Sequence, residues 1–111
     1  MICELYDIVA VPFPFMERPA IKRRPAIAIS SERFNRDNRH SIFAMITTAR
    51  LERWPDDYAL EKPIEAGLVQ DCFVRFKIFT LPNDLIVKKV GRPVEEDRAA
   101  LGDLLKRIMP V

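Results

Sequence analysis

Glycine is scarce in this chain, with only Gly67, Gly91 and Gly102 among 111 residues. None lies in a glycine-rich run, which excludes the loops that cradle nucleotide phosphates. Histidine is scarcer still, with His40 alone. A Ser/His/Asp or Cys/His triad has to use it, and neither Ser30 nor a cysteine has a nucleophile signature around it. His40 and the singly scattered carboxylates give no metal-ligand spacing, so no metal and no other cofactor is expected. Cys3 and Cys72 lack redox or metal spacing, and reduced thiols in a cytoplasmic protein are the expectation. No apolar run approaches the ~20 residues that span a bilayer, and no basic-then-apolar leader precedes Asp7, so no membrane partner is expected.

Charge of one sign is also in short supply. Eighteen basic residues face sixteen acidic ones, a net charge of +2, which argues against a generic coat for nucleic acid. The distribution is uneven, however. From Arg18 to Arg39 seven basic residues meet only Glu32 and Asp37, whereas residues 51–71 hold six acids and two bases. A local anion site in the first region fits that asymmetry. With 49% hydrophobic and 31% charged residues, composition is that of an ordinary globular protein, and the length makes one domain, residues 1–111.

What is present is a series of short β-like runs. Tyr6 to Pro12 reads as a first strand, broken by Pro14, which cannot donate to a ladder. Pro25 to Ile29 is apolar and small or β-branched, predicting a strand covered on both faces. Ser31 to His40 is polar, with Asn35, Asp37 and Asn38 as turn formers, and reads as a loop. In Ser41 to Thr48, alternation puts Ile42, Ala44 and Ile46 on one face and Phe43, Met45 and Thr47 on the other. Trp54 to Asp57 reads as a turn, Tyr58 to Glu61 as a short edge strand, Cys72 to Thr80 as a long strand, and Leu85 to Val90 as the last. Six or seven short strands at even spacing predict a small barrel or tightly curled sheet.

One helix is predicted, over residues 93–109. Leu101, Leu104, Leu105 and Ile108 share a face at helical spacing. Glu95, Glu96 and Asp97 in the first turn and Lys106 and Arg107 in the last complement the helix dipole. Val94 is a poor N-cap.

Lys22, Arg23 and Arg24 stand at the mouth of the second strand. Guanidinium groups fixed on a rigid element can bond two phosphate oxygens at once; the bland reading is solvated charge blunting a strand end. Phe13 and Phe15 read either as core plugs or as stacking platforms for unpaired bases. Thr47 is a hydroxyl at a strand end, often a β-propensity choice and no more.

The order YDIVAVPFPF, KRRPAIAIS, FAMITT, FVRFKIFTL and VGRPVEED resembles the MazF/PemK toxin family over nearly the whole chain. The motifs are short, but five stand in register. The resemblance implies a mainly β fold, an SH3-like small β-barrel with a C-terminal α-helix, acting as a homodimer. It implies a metal-independent, sequence-specific endoribonuclease that cuts single-stranded RNA and is neutralised by a cognate antitoxin. The family's catalytic arginine, before the proline of the second strand, matches Arg24. Its catalytic threonine or serine, in an "IT" pair, matches Thr47. Asp7 matches the early acidic residue, although Tyr6 stands where the family usually has glycine. Substrate contacts are then expected from Asp7, Phe15, Lys22, Arg23 and Thr48. Two alternatives remain open: a non-enzymatic poison of DNA gyrase, like CcdB relatives of similar fold, and a catalytically silent RNA-binding relative.

Overall fold

A computed structural model describes residues 1–13, 22–48 and 52–111. One antiparallel sheet runs through it. Strands β1 (Ile8–Phe13), β2 (Lys22–Ala28), β3 (His40–Thr48), β4 (Tyr58–Ala59), β5 (Cys72–Pro82) and β6 (Lys88–Gly91) lie in the order β4-β5-β3-β2-β1-β6. Helices α1 (Glu32–Asn38) and α2 (Glu95–Ile108) complete it. The mainly β class with a C-terminal helix is as expected, but the barrel is not closed. Among the described residues no ladder joins β4 to β6. The segment 63–68 fills that gap instead, pressed so tightly on β6 that a Cβ on Gly91 would stand 2.0 Å from the Ala66 carbonyl oxygen. Gly67 turns there at φ 93°, a conformation that costs glycine little.

The two sheet faces bury different sets of side chains. Ile8, Ile27, Ala44, Ile46 and Val74 form one cluster, which Leu101 of α2 and Leu60, Ala66 and Leu68 join. Val9, Val11, Ala26, Ala28 and Phe43 form the other, covered by Cys3, Leu81 and Ile86. Phe43 also stacks on Phe79, ring centroids 5.6 Å apart. The period-2 alternation of β3 is therefore the division between two cores.

Strand β2 begins at Lys22, and its covered part is Ala26 to Ala28, within the Pro25–Ile29 stretch expected to be covered, with Pro25 and Ile29 half-buried at its ends and Lys22 to Arg24 exposed at its mouth. The main departure is at residues 31–40. The polar run is a helix, because Ser31 caps it by accepting from the Phe34 amide at 3.1 Å, an interaction worth ~1 kcal/mol. Glu32–Arg36 and Arg33–Asp37 pair at i,i+4 along its exposed side. Asn35, fully buried, donates to the Cys3 carbonyl, while its own carbonyl accepts from Asn83. His40 is the first residue of β3 rather than a loop residue, and its ring nitrogen Nδ1 lies 2.8 Å from the Asn38 carbonyl.

Helix α2 has no side-chain cap at Val94. Asp97, fully buried in the first turn, accepts from the Tyr58 hydroxyl at 2.5 Å and from the Glu61 and Lys62 amides at 3.1 and 3.3 Å. It ties α2 to the edge at β4, and burial followed by this bond to Asp97 raises the Tyr58 pKa.

Candidate active site

Strands β2 and β3 pair from Ala28↔Phe43 to Ala26↔Met45, where their ladder ends. Beyond it β2 continues against β1, with Val11↔Arg24 and Phe13↔Lys22, while β3 continues against β5, with Thr47↔Phe73 and Thr48↔Cys72. Counting two residues on from Ala26 and Met45 brings Arg24 level with Thr47. Both also lie on the Ala26–Phe43 side of the sheet, because side chains alternate. Arg24 is exposed and Thr47 is buried, at 8%. The arrangement sets a guanidinium and a hydroxyl on facing strands where the sheet parts. Among the described residues no carboxylate pairs with Lys22, Arg23 or Arg24.

The other expected contacts are dispersed. Lys22 shares the face of Arg24, one turn of alternation further out. Arg23 falls on the opposite face, that of Ile27. Thr48 is half-buried and likewise faces away from Thr47. Asp7 stands apart from this group: its carbonyl accepts from the Ala28 amide, four residues down β2 from Arg24, roughly 13 Å at strand rise. Its buried carboxylate lies 3.3 Å from Lys89 and 3.5 Å from Arg92 and accepts from the Glu4 amide at 2.8 Å. Phe15 lies outside the described residues, as does the side chain of Phe13.

Next to Thr47 is a cluster that sequence reasoning passed over as a turn. Arg75, on the same face as Thr47, binds Asp57 through two bonds, Nε to Oδ1 at 3.1 Å and a terminal nitrogen to Oδ2 at 2.8 Å, and also donates to the Glu52 carbonyl. The Asp57 carboxylate is fully shielded from solvent. Burial alone works to raise its pKa, but hydrogen bonds from Arg75 and the Trp54 amide, with the charges of Arg75 and Arg53, outweigh it and hold the carboxyl below its ordinary range. The Arg75 guanidinium lies 4.9 Å from the Trp54 ring centroid and 5.6 Å from that of Phe73; Arg53 lies 4.8 Å over Phe73. The only sequence signal was a lone tryptophan in an acidic turn.

No three His, Cys, Asp or Glu side chains converge as a metal site among the described residues. Cys3 and Cys72 are both buried free thiols. Burial, then the nearby Asp7 charge, pushes Cys3 to about 11, which leaves its nucleophilic thiolate rare.

The family model of PemK-like, MazF-like toxins of type II toxin–antitoxin systems matches residues 4–109. The chain belongs to this toxin family. The similar solved structures of MazF toxins agree on the fold. A MazF from Deinococcus radiodurans shares 16% identity at a TM-score of 0.76, covering 100% of this chain and 99% of that one. The Mycobacterium tuberculosis toxin MazF-mt6 shares 18% at 0.73, covering 91% and 93%. An endoribonuclease in complex with its cognate antitoxin, from a mycobacterial species, shares 14% at 0.76, covering 99% and 95%. Among curated protein sequences none matches significantly. Membership of the MazF/PemK family also gives Tyr6 a meaning. It has φ 72°, the left-handed region that the family's usual glycine adopts freely.

Proposed function

We propose that this MazF/PemK toxin is a metal-independent endoribonuclease that cleaves single-stranded RNA at specific sequences, acts as a homodimer and is held silent by a cognate antitoxin. The observation that carries the reading is the β2–β3 register, with Arg24 and Thr47 level on one face where the ladder stops. RNA brings its own nucleophile, the 2′-OH beside the scissile phosphate, which DNA lacks. The 2′-oxygen bonds to phosphorus and the bond to the 5′-oxygen breaks. The 2′ proton passes to solvent and the leaving oxygen takes one up, giving a 2′,3′-cyclic phosphate and a 5′-OH.

Arg24 stabilises the negative charge that grows on the non-bridging oxygens, through charge-assisted hydrogen bonds. A guanidinium stays protonated in proteins and so does not serve as the base. Thr47 holds a phosphate oxygen or the 2′-OH in line for attack. Lys22, on the same face, adds phosphate affinity. Asp7 is assigned a structural part in this reading, because Lys89 and Arg92 hold it away from Arg24.

The test is cleavage of a defined transcript in EDTA, with an all-deoxy oligonucleotide as control. The RNA is expected to be cut and the DNA left intact. Arg24→Ala is expected to lose about 10²–10³-fold in kcat, the usual cost of one transition-state donor, and Thr47→Val to lose activity while keeping its fold. Cleavage that survives both changes, or growth arrest that survives Arg24→Ala while gyrase fails, overturns the proposal in favour of a binding poison.

A further inference from the structure

Trp54 is the only tryptophan of the chain, and 45% of it is in solvent. A tryptophan held in place at the surface offers a large amphipathic face of the kind enriched at interfaces. Here the holding is unusually thorough. The Trp54 amide donates to the Asp57 carboxylate at 2.8 Å, its carbonyl accepts from the Asp57 amide at 3.1 Å, and the Arg75 guanidinium packs on its ring. Asp57 and Arg75 are in turn locked to each other by paired bonds. The turn is therefore a rigid mount, fixed to β5 two residues from Phe73, the cross-strand partner of Thr47. Beside the ring, the Arg53 side chain is 57% exposed over Phe73.

We infer that Trp54 is a base-stacking platform of the RNA-binding surface. An unpaired base beside the scissile phosphate lies on the outer face of the indole and completes a base–indole–guanidinium stack, while Arg53 meets an adjoining phosphate. Arg75 and Asp57 are positioning residues, which act by fixing the ring. Stacking on an aromatic is tolerant of base identity, so Trp54 supplies affinity and register for the strand and leaves the choice of sequence to other contacts. The inference rests on the RNA-cleaving reading above for the nature of the ligand.

Because the chain has one tryptophan, its fluorescence reports this ring alone. Titrating the wild-type protein with a short single-stranded RNA, 2′-O-methylated throughout so that it has no free 2′-OH and is not cut, is expected to quench and shift the emission. Inorganic polyphosphate, an anion without bases, is expected to leave it unchanged. In cleavage assays Trp54→Ala is expected to raise KM about tenfold with kcat nearly unaltered, and Trp54→Phe to restore most of the difference. Asp57→Asn is expected to raise KM while also broadening the wild-type-like emission in the free protein.

RNA cleaved normally with no change in Trp54 emission, or with an unchanged KM in Trp54→Ala, overturns the platform and leaves the nuclease reading standing. Equal quenching by polyphosphate overturns it as well. Base-dependent quenching in a protein that never cuts RNA supports the platform and removes the nuclease. Should Trp54→Ala unfold, the wild-type titration decides alone.

Discussion

At the scale of single residues, neighbours decide what each charge is for. Arg24 and Arg75 are both arginines on strands of the same sheet face. Arg24 is exposed with no carboxylate partner among the described residues, so its donors are available to an anion. Arg75 spends its donors on Asp57 and the Glu52 carbonyl. Removing one member of so enclosed a pair leaves the other charge buried, and Asp57→Asn is expected to cost about 3 kcal/mol at neutral pH. The sign of the pH dependence follows from the lowered carboxyl. Its contribution is complete above the unfolded value near 3.8 and fades as pH falls through the lower folded value. Thermal unfolding of wild type and variant, compared from pH 7 down to pH 2, should show their gap closing on the acid side.

At the scale of elements, tight backbone approaches do the work of a missing ladder. Since an added Cβ at Gly91 meets the Ala66 carbonyl at 2.0 Å, Gly91→Ala must push segment 63–68 off β6. It is expected to destabilise by more than ~3 kcal/mol, a melting point lower by at least about 10 °C in a calorimetric scan. Gly102 has only the Tyr6 hydroxyl near its missing Cβ, at 3.2 Å, and alanine there is much better tolerated. Element by element, the strands were legible in the sequence because alternation and β-branched runs mark them directly, as does the apolar stripe of α2. The first helix was not. Ser31, Asn35 and Asn38 carry turn-forming chemistry, and only the fold reveals that Ser31 caps, Asn38 bonds back to the Phe34 carbonyl and Asn35 is drawn inward to bridge Cys3 and Asn83. Of the candidate site, Arg24 and Thr47 could be named from short motifs. The Arg75–Asp57 mount could not, since nothing in a sequence couples side chains eighteen positions apart across a loop.

At the scale of the whole molecule, a modest net charge hides an uneven distribution of charge along the chain. Lys22 and Arg24 are exposed on one face of β2, beyond the end of its ladder with β3, while the acids of residues 51–71 include Asp57, which is already consumed by its partner. RNA affinity is therefore expected to fall as salt rises, through release of counterions. In Lys22→Ala the slope of log affinity against log salt concentration should be shallower by about 0.7, the share of one single-strand phosphate contact, measured by filter binding of an uncleavable oligonucleotide between low and physiological salt. A change in affinity with no change in slope takes Lys22 off the RNA path.

Asp97 stands late in the chain, yet the groups it serves, Tyr58 and the amides of Glu61 and Lys62, come 35 to 39 positions earlier. On a ribosome that earlier stretch emerges and has to wait, its amides without their acceptor until the final helix has cleared the exit tunnel. Closure of the β4 edge is thus tied to the arrival of a helix made well after it.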